Sequence, residues 1–539
     1  KEEDEEKERA EEFEYRFPRI NHVWGLRNIV RWMYKEGWVY SILLCSILIW
    51  SFIIKIVGLY NYNLWIDEIL SSVGVDGILK NGLPILSSGF LYSRDILVHY
   101  LFALVKILFG IDYINLRIIT ILFSLGVIFL TYLISKRMFN KKWALSASFI
   151  IAFLSFEIAW SRQIRFYIFL QFSALLSILA YIELKRNKTK RSVAIFIASL
   201  FLLFFTSFQG VLILIIFLFD ILWDRSLRNY IISYLKSNKL IVLTILLPLL
   251  LLFIYTGTVW VAVDIVKEAI QKDTNSFAFY IDSFYQFIPY FFILFLFSLP
   301  IILIRFRMKL PLTFFIFSLL LFFIASFLWN SHWLRFLLIA FPLISINFGF
   351  FLNCLYKLFR IKILSIILIL ILLTPLFIKD ISLNPADIQS LEEPQTNFEL
   401  TYSYIYNHLD ENDLVVSITT GGAPAYFYLK NRFIPENNFV LTFLLTSNNS
   451  QEYIGIYKAS FDGLFWREGY SNLTIINNME TLKKTINNSS GYIVYDHQKI
   501  NHVDEELRNL FLKMVLIEEG SDDTIDLYYW NSSTLKEET

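Results

Sequence analysis

The run Ile96-Leu-Val-His-Tyr-Leu-Phe-Ala-Leu-Val-Lys-Ile-Leu-Phe109 decides the topology of this chain. It is apolar but interrupted by His99 and Lys106, and it is shorter than the ~20 residues that cross a hydrocarbon core. Basic runs separate the longer apolar segments on its C-terminal side. They are Lys136-Arg137 with Lys141-Lys142, Lys185-Arg186 with Lys190-Arg191, Arg225 to Lys239, Arg305 to Lys309, and Lys357 to Lys362. Basic loops stay cytoplasmic. If 96–109 spanned, these runs would be inverted with respect to Arg27, Arg31 and Lys35. If it lies flat in the outer interface, all of them fall inside together.

That choice leaves eleven expected spans, at 38–60, 117–136, 143–159, 168–184, 192–207, 209–223, 240–260, 286–304, 310–329, 336–356 and 363–378. The N-terminus is then inside and the C-terminus outside. Composition agrees with an integral membrane protein: 56% hydrophobic residues, 18% aromatic residues and a mean hydropathy of +0.54. The net charge of +1 implies no particular partner, and no nucleic-acid partner is expected. Cys45 and Cys354 both lie in apolar segments, so no disulfide framework or metal cluster is expected. No cleavable signal peptide is expected at the start, where residues 1–14 form a charge run. The expected domains are a cytoplasmic tail (1–37), a transmembrane module (38–378) with its first external loop at 61–116, and an extracytoplasmic domain (379–539).

The outer side then collects the polar groups. The first loop holds Asp67, Glu68, Tyr92, Arg94 and Asp95; short turns hold Arg162, Arg165 and Tyr167, and His332 with Arg335. The tail changes composition near Asn384 and alternates strand and helix signals. Strands are expected at Leu414–Ile418, Gly491–Tyr495 and Thr524–Trp530, with helices at Thr401–Leu409, Ala425–Leu429 and Val503–Val515. This describes a small α/β domain. The Gly421-Gly422 pair after the first strand is read as a turn rather than a phosphate loop.

Two motifs carry chemistry. In Asn63-Leu-Trp-Ile-Asp-Glu68, adjacent carboxylates follow the first span. A charge at the bilayer centre costs ~2.5–3.5 kcal/mol, which places this pair at the surface. There Asp67 can act as a general base, with Glu68 as its partner or as a ligand to a divalent metal ion held with Asp67. A solvated helix end is the plainer alternative. In Ser161-Arg-Gln-Ile-Arg-Phe-Tyr167, two arginines three apart share a helical face, and arginine forks bind phosphate oxygens bidentately. Snorkelling of an ordinary turn is the alternative. His332 is either a cavity group or an interfacial polar residue.

The order of these motifs resembles the GT-C glycosyltransferases of the protein O-mannosyltransferase and aminoarabinose transferase type. It runs from Trp65-Ile-Asp-Glu68 through Tyr92-Ser-Arg-Asp-Ile-Leu-Val-His-Tyr100, Leu108-Phe-Gly110 and Arg117 to Ser161–Tyr167, and then to Arg335 with Phe341-Pro342. The resemblance covers roughly 40–360. It implies a GT-C fold of about eleven transmembrane helices, interfacial helices in the first loop and a small α/β C-terminal domain. It also implies a polyprenyl-phosphate sugar donor and transfer on the external face to a lipid, glycan or protein acceptor, with Asp67 at the acceptor or as base. Arg162 and Arg165, with Tyr167 and Arg335, would serve the donor phosphate. Relatives often carry a His-Pro-Pro-Leu or Glu-Lys-Pro-Pro-Leu run where this chain has Ser93-Arg-Asp-Ile-Leu97, so Arg94 or Asp95 would take over that function. A single carboxylate acting as base implies inversion. The rival readings are a non-enzymatic transporter or scaffold for lipid-linked saccharides, and an oligosaccharide ligase or polymerase.

Overall fold

In the computed structural model the described residues are 24–61, 63–86, 88–92, 95–110, 112–237, 276–304, 309–327, 333–358, 361–383, 396–410, 412–419, 422–430, 440–443, 460–461, 466–467, 471, 473–476, 479–497 and 505–531. They divide into two units. One comprises residues up to Val57, Ile118–Arg162 and Phe166–Gln389; the other comprises Gly58–Arg117, Gln163–Arg165 and Ser390 onward.

The first unit is a bundle of apolar helices. Among the described residues six are long and apolar enough to cross a membrane: Trp38–Ile56, Tyr113–Met138, Tyr167–Asn187, Leu310–Phe327, Leu334–Leu358 and Lys362–Lys379. Phe277–Phe287 and Pro289–Pro300 form a pair bent by 111°, which makes seven if counted as one span. Lys190–Thr206 is slightly shorter, and the expected 209–223 span is a 3-10 turn followed by Leu214–Trp223. The expected 240–260 span lies outside the described residues.

The expected 143–159 span is interrupted at Leu154, which separates Lys141–Phe153 from Ser155–Ser161. A break exposes backbone groups that must be satisfied within protein. Here the chain leaving Lys362–Lys379 supplies the partners. Leu154 bridges Ile381, Ser155 N donates to Asp380 O at 2.9 Å, and Ser382 N donates to Phe153 O at 2.9 Å. Asp380 Oδ2 in turn accepts from Phe291 N at 2.5 Å, capping the Pro289–Ile304 helix. Among the described span-length segments Leu334–Leu358, which contains the helix Phe341–Leu358, is the most enclosed. Its Gly349 passes so close to Lys141–Phe153 that a Cβ there would meet Trp143 O at 2.8 Å.

The second unit joins the first loop to the tail. The loop contributes helices Ile66–Asn81 and Ile96–Phe109. The second of these has the expected bounds, and it exposes Leu104, Ile107, Leu108 and Phe109. The tail contributes an eight-stranded mixed sheet: β1 Asp413–Ile418, β2 Val440–Phe443, β3 Ser460–Phe461, β4 Trp466–Arg467, β5 Thr474–Ile476, β6 Ser490–Asp496, β7 Val515–Leu516 and β8 Ile525–Asn531. Its order is β3-β4-β5-β2-β1-β6-β8-β7, with β1 parallel to β2 and β6. Val416, Ile418, Ile493 and Trp530 pack against Leu482 and Ile486 of Met479–Asn487 and Leu507 of Glu505–Phe511. The helices Phe398–His408 and Ala423–Leu429 lie where the sequence places them; the helix expected at Val503–Val515 is Glu505–Phe511, with Val515 in β7, and β2 to β5 and β7 are not among the expected strands. Within this unit Ala423–Leu429 packs on Ile66–Asn81. Asp76 is gripped by Lys106 and Lys430, each at 2.5 Å. Burial raises the Asp76 pKa, but the two lysines outweigh it, and the carboxyl is held below its ordinary range.

Candidate functional site

Asp67 and Glu68 occupy the first turn of Ile66–Asn81, where negative charge complements the helix dipole. Successive helical residues point about 100° apart, and the two carboxylates have different surroundings. Glu68 is fully buried. Its Oε1 accepts from Arg117 Nε at 3.0 Å and from Ile164 N at 2.8 Å, and its Oε2 accepts from Arg117 Nη2 at 2.6 Å. Arg117 also donates to Leu59 O and Asn63 O. Both Glu68 oxygens are therefore committed to fastening the 163–165 turn and the start of the first loop. That geometry gives Glu68 a framework role in place of a catalytic or metal-binding one.

Asp67 keeps a quarter of its side chain exposed. Arg165 Nη2 lies 3.2 Å from its Oδ2, and Arg165 Nη1 donates to Asp67 O at 3.2 Å and to Ser71 Oγ at 3.1 Å. The arrangement orients one reachable carboxylate with a buried, permanently charged guanidinium.

The two arginines of the 161–167 turn do not act as the shared face expected from their spacing. The turn is not a regular helix, so the i,i+3 relation fails. Arg162 belongs to the bundle. It donates from Nε to Lys55 O at 2.9 Å and from Nη2 to Val57 O, and so caps the end of Trp38–Ile56. Also in the bundle, Arg335 lies over Trp333 at 4.3 Å and Trp160 at 5.2 Å, and Trp160 meets buried Tyr167 edge-on at 5.2 Å. Tyr92 and Asp95 come together at the start of Ile96–Phe109. Tyr92 packs edge-on against His99 at 5.2 Å, and His99 Nδ1 lies 3.0 Å from Asp95 O. Arg94 and His332 lie outside the described residues. Among the described residues no group of three or more His, Cys, Asp or Glu side chains is placed to hold a metal ion.

Sequence reading missed a buried polar cluster in the bundle. Lys55 Nζ donates to Ser124 Oγ at 3.0 Å and interacts electrostatically with Glu157, whose Oε2 accepts from Gln171 Nε2 at 2.9 Å. Gln171 also donates to Leu338 O at 2.6 Å. The available signal was a lysine and a glutamate inside segments read as spans.

No family model matches the chain, and no curated protein does. Solved structures do. ArnT from Cupriavidus metallidurans, bound to undecaprenyl phosphate, superposes with a TM-score of 0.57 over 93% of this chain and 99% of that one, at 12% identity. The oligosaccharyltransferase AglB from Archaeoglobus fulgidus, in complex with an inhibitory peptide and a dolichol-phosphate, gives 0.52 over 92% and 75%, at 14% identity. The chain has the GT-C fold. The likeness is one of fold.

Proposed function

We propose that this protein transfers a sugar from a polyprenyl-phosphate donor to an acceptor hydroxyl at the external membrane face, with inversion. The observation that carries this reading is the nearly full-length likeness to ArnT bound to undecaprenyl phosphate; AglB, with its dolichol-phosphate, adds to it. Asp67 is the base. It takes the acceptor proton as the acceptor oxygen bonds to the anomeric carbon and the carbon–oxygen bond to phosphate breaks. The electron pair leaves with the polyprenyl phosphate, whose added charge needs a cation. Arg165 orients Asp67. Arg335 and Arg94 are assigned to the phosphate, because Arg162 is engaged with the end of the first span. Tyr167 supports Arg335 through Trp160. The first loop and tail are extracytoplasmic, the N-terminus is cytoplasmic, and eleven spans are retained, with domains at 1–37, 38–378 and 379–539.

The transporter reading would gain from charges deep in the bundle. Lys55 is such a charge, but it is the penultimate residue of Trp38–Ile56, close to the end of that helix. The test is direct. Purified protein in nanodiscs, given a radiolabelled undecaprenyl-phosphate sugar and a membrane extract as acceptor source, should release undecaprenyl phosphate and label the extract. Movement of intact donor across a sealed bilayer without release would establish the transporter instead.

A further inference from the structure

Tyr428 is the one buried tyrosine hydroxyl that finds no hydrogen-bond partner among the described residues. Its stacked neighbour makes the contrast plain. Tyr402 lies 6.0 Å away with its ring within 12° of parallel, and its hydroxyl is satisfied by Ser417 Oγ at 2.9 Å. Other phenols are paired too: Tyr492 with His408 O and Tyr528 with Asp526. A buried hydroxyl without a partner forfeits roughly 1–3 kcal/mol, so such groups call for an explanation, and a ligand is one.

The position of this hydroxyl says which ligand. Tyr428 sits on Ala423–Leu429, the tail helix that packs on Ile66–Asn81, and two residues on Lys430 grips Asp76 of that same helix. Glu399, Tyr113, Glu68 and Arg117 lie within electrostatic reach of the phenol. Burial, then Glu399 and Tyr113, hold its proton on well beyond the ordinary range. The group is thus a fixed O–H donor with a half-exposed carboxylate, Glu399, within electrostatic reach. A donor with a carboxylate acceptor in the same neighbourhood suits a hydroxyl, which both accepts and donates. An anion would meet the Glu399 charge.

We propose that the Tyr428 hydroxyl binds a hydroxyl group of a saccharide-type acceptor, so that the tail domain supplies part of the acceptor site beside the helix bearing Asp67. This rests on the transferase reading. The variant is Tyr428→Phe, and the first probe is maltose, read by thermal shift on the full-length protein. Without maltose, Tyr428→Phe should melt at or above the wild-type temperature, because only an unsatisfied hydroxyl is removed. Maltose should raise the wild-type melting temperature, and half-saturation in the variant should need about tenfold more sugar, the loss of one neutral hydrogen bond. In turnover, acceptor KM should rise by a similar factor, with kcat and undecaprenyl phosphate binding nearly unchanged.

Two results overturn the proposal. One is a lower melting temperature, or no folded protein, for the ligand-free variant, which shows that the hydroxyl is bonded within the protein. The other is an equal maltose response in both proteins, a null response included. Failure of wild-type protein to release undecaprenyl phosphate sinks the transferase reading alone, and the maltose arm still reports on Tyr428.

Discussion

Two buried pairs of opposite charge, Glu68–Arg117 in the first-loop unit and Lys55–Glu157 in the bundle, are built differently. Glu68 and Arg117 meet through a bidentate fork, with further bonds to Ile164 N, Leu59 O and Asn63 O. Lys55 and Glu157 interact through space while bonding to neutral partners, Ser124 and Gln171. The fork compensates desolvation through many short bonds and ties three chain segments together. The bundle pair lets neutral groups share the load. What the contrast teaches is that a charged pair can be architecture. Beside the fork, one helix residue away, Asp67 keeps a quarter of its side chain exposed and stays reachable.

The largest expected effect breaks that distinction at its reactive member. Asp67→Asn should lower transfer by roughly 10²–10⁴-fold with donor binding retained, since asparagine keeps the shape but cannot take a proton. Turnover with an undecaprenyl-phosphate sugar measures this. A variant retaining more than about a tenth of the rate, well inside that factor, would remove Asp67 from the role.

Next comes the fork. Arg117→Met leaves Glu68 buried without its partner and should cost roughly 3–5 kcal/mol, seen as a lower melting temperature in detergent. Glu68→Met combined with Arg117→Met should recover much of the loss, since removing both charges removes the uncompensated one. A double variant no better than Arg117→Met would show that the backbone bonds, not the charges, organise the loop. Lys55→Met in the bundle should be milder, because Glu157 keeps its bond from Gln171.

Arg162→Ala sharpens the separation of the two turn arginines. The end of Trp38–Ile56 loses a cap worth about 1 kcal/mol, while undecaprenyl phosphate affinity stays within about threefold. A loss of about tenfold or more in affinity would return Arg162 to the donor phosphate.

The smallest effect is at Asp76. Its pKa is lower folded than unfolded, so its contribution to stability is complete above the ordinary carboxyl value of 3.8 and disappears as pH falls through the lowered folded value. Asp76→Asn should therefore flatten the acid limb of the stability–pH curve below about pH 5 and leave Ile66–Asn81 helical. An unchanged acid limb would show that the lysines do not depend on the charge of Asp76.

Much of this was legible in the chain. The helix Ile96–Phe109, the apolar helices around it and the tail strands β1, β6 and β8 carry their own periodicity and length, which are local properties. The two-residue β7, at the end of an expected helix, was not legible, and neither were β2 to β5. Strands β2 to β5 are short, they sit in polar, Asn-rich sequence, and they pair one after another outward from the edge that β1 offers. The adjacency of Asp67 and Glu68 was plain, and so was their angular divergence. Their division of labour was not, because it depends on Arg117 and Ile164, 49 and 96 residues away.

By itself the sequence determined a polytopic helical protein with a charged first loop and an α/β tail, because hydropathy over twenty residues and alternation over five are set by neighbours along the chain. Only the tertiary structure decided that Arg162 caps a helix while Arg165 orients Asp67, that Glu68 belongs to the framework, and that the tail helix bearing Tyr428 packs on the helix bearing Asp67. The reason is physical. A buried charge takes its role from the groups that compensate its lost hydration, and long-range contacts bring those groups from segments far apart in the chain.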